Sequence, residues 1–188
     1  MTVQVLRAAD RIAVPWKNGG GVTRELIVSP PGADMAGFDW RVSVAEVAQG
    51  GPFSNFPGVD RVLTVIEGAG LTLSIDGRAA VVLDAAGPPF AFPGDARCEA
   101  SLKAGPIRDL NVMVRRGARR AQVRRRSLDG GDTLAGGAAF TLAFALEAAD
   151  ASWPGGEASL ACEDALLIPL GVEVTFTAAV RLILAEID

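Results

Sequence analysis

The chain has 188 residues, 49% hydrophobic and 21% charged, which excludes a disordered polymer and suits one compact domain or two small fused barrels. A net charge of −4, from 18 Lys and Arg against 22 Asp and Glu, gives no global electrostatic support for a nucleic-acid partner. There is no His and no Tyr, which removes serine–histidine triads, histidine-ligated metals and tyrosine general acids. Asp, Glu, Lys17 or a Cys remain as catalysts, each needing a strongly shifted pKa. Lys is nearly absent (Lys17, Lys103), so Arg carries almost all positive charge.

The start, MTVQVLRAADRIAV, has no basic region followed by a continuous apolar segment, so no signal peptide is expected. No run approaches the roughly 18 apolar residues of a membrane span. Cys98 and Cys162 lie far apart and outside CxxC spacing, and read as reduced, buried thiols of a cytoplasmic protein; a single disulfide is the open alternative.

Residues 3–8 and 10–14 predict a short first strand, stopped by Pro15. Asn18-Gly19-Gly20-Gly21 then supplies freedom for positive φ and for close approach to a ligand. No Gly-Lys-Ser/Thr follows and a strand comes next, which excludes a phosphate-binding P-loop. Trp16, Lys17 and Asn18 beside the glycines point to a site, with an ordinary hairpin turn as the alternative. Residues 38–47 predict a strand with two faces: Phe38, Trp40, Val42 and Val44 on one, Arg41, Ser43 and Ala45 on the other.

Residues 51–70 carry the strongest pattern. A Gly/Pro/aromatic loop (Gly51, Pro52, Phe53, Phe56, Pro57, Gly58) leads through Asp60 and Arg61 into an apolar strand, Val62 to Ile66, and a turn at Glu67-Gly68. Loops feeding rigid strands often carry function. Asp76-Gly77 marks a hairpin tip, and residues 87–94 read as a turn-rich passage before a strand near Cys98–Leu102. Along 105–116, Leu110, Val112 and Val114 alternate with Asp109, Asn111, Met113 and Arg115. Asp109 and Asn111 can touch one small ligand, or equally cap a neighbouring loop. Residues 115–126 hold seven arginines without interleaved aromatics, so we read them as a solvated connector or oligomer-facing surface before a nucleic-acid patch. Gly and Asp around 129–137 mark a boundary, and 139–147, 158–169 and 172–187 read as structural apolar strands. A dozen or more short strands with regular turn signals argue for an all-β sandwich or barrel.

Four segments stand out together: Pro15-Trp-Lys-Asn-Gly-Gly-Gly-Val-Thr-Arg-Glu25, Phe38-Asp-Trp-Arg-Val-Ser43, Gly51-Pro-Phe-Ser-Asn-Phe-Pro-Gly-Val-Asp-Arg61 and Asp109-Leu-Asn-Val-Met-Val-Arg-Arg116. In combination they resemble the HutD/Ves family, bicupin proteins associated with bacterial histidine-utilisation genes. The resemblance implies an all-β bicupin, two fused cupin-like barrels or jelly rolls. An N-terminal barrel would span 1–116, and a smaller, degenerate half 117–188, with strands shared with the N-terminal region. Aligned with a cupin's first motif ending at Gly68, Arg61 takes the Glu place, and Ser54 and Phe56 (or Asn55 and Pro57) the His places. In the second motif, from Gly87 through Pro93, the His would fall near Cys98. The resemblance thus implies a lumen without metal or other cofactor, turned from cation to anion binding.

The leading functional expectation is a small-molecule binding protein, regulatory or sensing, for an acidic intermediate of histidine degradation such as urocanate or a formyl- or formimino-glutamate. Arg61, with Arg41 or Arg24, would hold carboxylates, because a guanidinium fork pairs with them bidentately. Lys17, Asn18, Thr23, Ser43 and Asn111 would supply hydrogen bonds; Trp16, Phe53 and Phe56 would wall the pocket; Asp60 or Asp109 would orient an arginine. A metal-independent isomerase or hydrolase using Asp60, Glu67, Asp109 or Lys17, and a structural or partner-binding protein, are the alternatives. The expected partner is a small anionic metabolite, with no nucleic acid and no membrane; a homodimer is compatible with the sequence.

Overall fold

The computed structural model describes residues 2–188. Strand β1 is Gln4–Leu6, and a single 3-10 turn follows at Ala8–Asp10. Next come β2 (Ala13–Pro15), β3 (Gly21–Ser29), β4 (Trp40–Val47), β5 (Gly51–Pro52) and β6 (Val59–Glu67). They are followed by β7 (Leu71–Ile75), β8 (Val81–Leu83), β9 (Phe90–Pro93), β10 (Cys98–Leu102) and β11 (Ile107–Arg115). The remainder holds β12 (Ala121–Leu128), β13 (Thr133–Ala135), β14 (Phe140–Ala145) and β15 (Ala149–Trp153). It ends with β16 (Gly156–Leu160), β17 (Ala165–Ile168), β18 (Glu173–Phe176) and β19 (Val180–Ile187). The all-β expectation holds, and no helix among the described residues is long and apolar enough to cross a membrane.

The chain divides into two compact units, Ile12–Arg120 and the residues up to Arg11 together with Ala121–Asp188. In the first, a six-stranded sheet (β2-β3-β4-β11-β6-β9) and a four-stranded sheet (β5-β10-β7-β8) share one apolar core, and every paired strand is antiparallel. Ala45, Val47, Leu63 and Val65 from the larger sheet meet Leu71, Leu73, Ile75 and Ala100 from the smaller. Burying each such aliphatic side chain contributes roughly 1.5–3 kcal/mol. The core fills only part of the inner face of the larger sheet, and the rest carries Arg41, Ser43, Arg61, Asp109 and Asn111 beside Met113.

In the second unit, β1-β17-β14-β19-β12 and β13-β18-β15-β16 form its two sheets, around Leu166, Phe176, Leu182 and Leu184. Residues before Arg11 belong here because β1 pairs with β17 and the buried Asp164 gathers donors from them. Its carboxylate accepts from Arg7 at 2.8 Å, from the Ala8 N–H at 2.7 Å and from the Ala161 N–H at 3.0 Å.

Three local readings are corrected. The arginine run is not a connector over its second half: residues 121–128 are β12, in register with β19 from Ala121↔Ile187 to Leu128↔Val180. An edge strand tolerates charged side chains, which block further edge pairing, and Arg124 pairs with Glu186 at 2.8 Å. The turn-rich passage contains β9, where prolines are tolerated because that strand too is an edge. Cys98 is buried, but Cys162 is exposed in a turn, where its thiol donates to Leu146 O at 3.2 Å, and the two are not joined in a disulfide.

Candidate functional site

The glycine loop is held by its own hydrogen bonds. The Trp16 N–H donates to Gly21 O at 2.9 Å, the Gly19 N–H to Trp16 O at 3.0 Å, and the Gly20 N–H to Asn18 Oδ1 at 3.0 Å. Gly19 has φ +72°, a left-handed conformation that favours glycine. Gly21 is required for another reason: a Cβ there would lie 2.4 Å from Glu46 O and 3.1 Å from the Trp16 ring. That close approach aims the Trp16 indole N–H at Thr23 Oγ1, 2.7 Å away. Gly21→Ala is therefore expected to destabilise the protein by about 1–3 kcal/mol and shift Trp16 fluorescence, as urea denaturation would show.

Strand alternation builds the floor. In the larger sheet, β11 lies between β4 and β6, so residues in register share a face. Met113 is opposite Arg41 and Arg61; Asn111 is opposite Ser43 and Leu63; Asp109 is opposite Ala45 and Val65. These rows, except Val65, line a cavity of about 520 Å³. Its walls are the β2–β3 connection (Val14, Pro15, Trp16, Lys17, Asn18, with Thr23) and the loop Pro52, Phe53, Ser54 and Phe56. Eleven of the thirteen expected residues line it: Trp16, Lys17, Asn18, Thr23, Arg41, Ser43, Phe53, Phe56, Arg61, Asp109 and Asn111.

Arg24 and Asp60 do not line it. Both lie at the alternate strand positions: Arg24 faces Glu46 at 3.8 Å, and Asp60 accepts from Arg116 at 2.8 Å, so neither orients Arg61. Arg116 also binds Asp95 at 2.8 Å, forming an outer clasp. Glu67, weighed above as an acid or base, is exposed and 3.8 Å from Arg108. Alternation alone would have added Ala45, Leu63 and Met113, each two residues from an expected lining residue. Val14, Pro15 and Pro52 carry no such signal as lining residues, and Ser54 carries only its place in the cupin motif.

The three arginines are not equivalent. Arg41 lines the cavity but its Nε already donates to Glu25 Oε2 at 2.6 Å. Arg61 is only 5% exposed, and among the described residues its guanidinium has no hydrogen-bond or ion-pair partner; Nε is buried and unsatisfied. It sits among the rings of Phe53, Phe56 and Phe92, at 5.1, 5.4 and 5.0 Å from their centroids. Phe92 enters through β9, where it pairs with Arg61 in register. Gly94 leaves room: a Cβ there would lie 2.9 Å from Val59 O and 3.3 Å from Arg61 Cδ.

Asp109 is 2% exposed, and among the described residues its Oδ1 and the Asn111 side-chain oxygen have no hydrogen-bond partner. Burial lowers the Arg61 pKa, opposed chiefly by Asp109. Burial pushes the Asp109 carboxyl up to about 7, and Arg61 only partly counters it. The cavity thus presents a buried guanidinium without a hydrogen-bond or ion-pair partner among the described residues, the exposed Lys17, a carboxyl that titrates near neutrality, and amide and hydroxyl groups.

As a metal centre the donor set does not fit. Arg61 puts a fixed cation in the wall, Ser54 and Phe56 line the cavity, and Cys98 lies in the apolar core instead. Among the described residues no group of three or more Cys, Asp or Glu side chains comes together to hold a metal ion.

The HutD family model matches residues 8–184. The chain belongs to the HutD family. It is 39% identical over 146 residues to an uncharacterized 21.2 kDa protein in the hutC 3′ region of Pseudomonas putida, covering 76% of this chain and 73% of that one. Two solved structures cover both chains completely: a conserved protein of unknown function from Pseudomonas aeruginosa PAO1 (33% identity, TM-score 0.90) and HutD from Pseudomonas fluorescens SBW25 in a formate condition (34%, 0.79). The likeness to a cupin-2 conserved barrel domain protein from Leptotrichia buccalis is one of fold: 9% identity, TM-score 0.64, covering 93% of this chain and 92% of that one. This HutD-family chain has a cupin fold.

Proposed function

We propose that this protein is a metal-free, cytoplasmic binding protein for a small carboxylate, with a regulatory or sensing role in histidine utilisation. The observation that carries the reading is Arg61, a guanidinium buried in the cavity wall with no hydrogen-bond or ion-pair partner among the described residues. Taking such an ion out of water costs several kcal/mol unless something pairs with it, and a ligand carboxylate is the geometric match for its fork. Phe53, Phe56 and Phe92 exclude water there, while Ser43 and Asn111 offer hydrogen bonds next to it. A cavity of about 520 Å³ suits a small metabolite. The Pseudomonas putida relative's place in the hutC 3′ region favours an acid of that pathway, of the urocanate or formyl- or formimino-glutamate type. Thermal melting with each of these acids, beside histamine as a cation of similar size, tests the reading. The acids should raise the melting temperature with dose and histamine should not; equal responses to both sink the idea.

A second reading rests on Asp109. A buried carboxyl titrating near 7 in the same cavity suits general acid–base work, as in a metal-independent isomerase or hydrolase. Turnover of a stabilising acid, lost in Asp109→Asn while stabilisation by that acid remains, would select this reading.

A further inference from the structure

We infer that Asp109 is a proton-binding position coupled to the anion site: when a carboxylate settles against Arg61, Asp109 takes a proton from water, so the cavity binds an anion and a proton together. The inference rests on the carboxylate reading above and adds what else must be bound with the ligand.

The geometry isolates the pair. Asp109 on β11 and Arg61 on β6 line the same cavity, and Asp109 is flanked in register by the apolar side chains of Ala45 and Val65. The charged groups around it are few. From β6 comes Arg61; from β4 comes Arg41, already held by Glu25 of β3; from the loop after β2 comes Lys17, which is exposed. From β10, packed against the same core, comes Cys98, whose thiol burial holds in the neutral form. Arg108 and Glu46 occupy alternate strand positions, Glu67 comes opposite Arg108 through a β-bulge beside Asp109, and Arg108 pairs with both glutamates. Asp109 is therefore the chief counter-charge acting on Arg61 within the cavity.

Adding a ligand carboxylate would leave one buried cation facing two buried anions. Two carboxylates sharing a dry site cannot both stay ionised, and one takes up a proton. The ligand carboxylate contacts Arg61 directly, while Asp109 acts on it only from a distance and keeps an unsatisfied oxygen, so Asp109 is the one that protonates. In the ligand-free protein its carboxyl already titrates at about 7, so the uptake falls in the neutral range. No bond other than O–H forms, and the proton comes from solvent or buffer.

Isothermal titration of the full chain with sodium glutarate and sodium formate, at about pH 8 in buffers of different ionisation enthalpy, reads the coupling directly. We expect close to one proton taken up per anion, and affinity falling about tenfold per pH unit above 7 until the pKa of the complex is reached. In Asp109→Asn the uptake should vanish and affinity should be flat with pH; Asp60→Asn, outside the cavity, should behave as wild type. Binding without proton uptake in the wild type, or uptake that persists in Asp109→Asn, overturns the coupling and leaves carboxylate binding intact. Absence of binding by either anion at any pH overturns both. Should Asp109→Asn not fold, carbon-13 NMR of the wild-type Asp109 carboxyl decides: its titration must move to higher pH on adding glutarate, and a stationary curve refutes the coupling.

Discussion

Arg61→Met is expected to abolish stabilisation by carboxylates while leaving the ligand-free protein about as stable as wild type. Two opposing terms make the ligand-free change small. Desolvating the guanidinium costs several kcal/mol, and three ring faces at 5.0–5.4 Å return on the order of 0.5–2 kcal/mol each. Methionine of similar length fills the cage without the desolvation cost, so chemical denaturation should show a change within about 2 kcal/mol. Arg41 is a poorer substitute, since its Nε already donates to Glu25. A protein unfolded by the substitution would mean that the guanidinium holds the barrel together. A surviving response to carboxylates would mean that they bind elsewhere.

Asp109→Asn is expected to change the pH dependence of stability. The folded carboxyl titrates at about 7 and the unfolded one near 3.8. Between those values the unfolded chain has released the proton and the folded protein keeps it, so stability falls as pH rises through the window and levels off above 7. A shift of this size corresponds to roughly 4 kcal/mol at most. Asn, of the same shape, cannot ionise. The variant should therefore gain on wild type by a few kcal/mol from pH 4 to 7 and hold the gain at pH 8. Asp95, Glu147 and Asp164 are held low, and their losses fall below that window in both proteins. Urea midpoints at each pH check this; a difference curve flat from pH 4 to 8 would mean that Asp109 ionises normally.

Much of the site could be read from alternation. Arg41, Ser43 and Ala45 on one face of their strand, and Asp109, Asn111 and Met113 on one face of theirs, converge as a pleated strand requires. The paired glycines and tryptophan also announced a tight approach. The sequence did not reveal which arginine lacks a partner. Arg24, Arg41 and Arg61 look alike in a chain, and their difference arises from register, which brings Glu46 and Glu25 to the first two and neither to the third. Asp60 beside Arg61 suggested a pair, yet neighbours in a strand face opposite ways, and Asp60 finds Arg116, 56 positions away. Phe92 was hidden for a related reason, since prolines masked an edge strand. The arginines of β12 misled because β19, which pairs with it, lies more than fifty residues further on.

The loop from Phe53 to Gly58 is fastened at several points. The Phe53 N–H donates to Cys98 O, the Phe56 N–H to Gly94 O, the Gly94 N–H to Val59 O and the Arg116 N–H to Gly58 O, at 2.7–3.0 Å. The aromatic cage is therefore assembled before anything enters it. A pre-built wall spends little ordering entropy on capture, and differences among competing acids should then be written in how long each stays, more than in how fast each arrives.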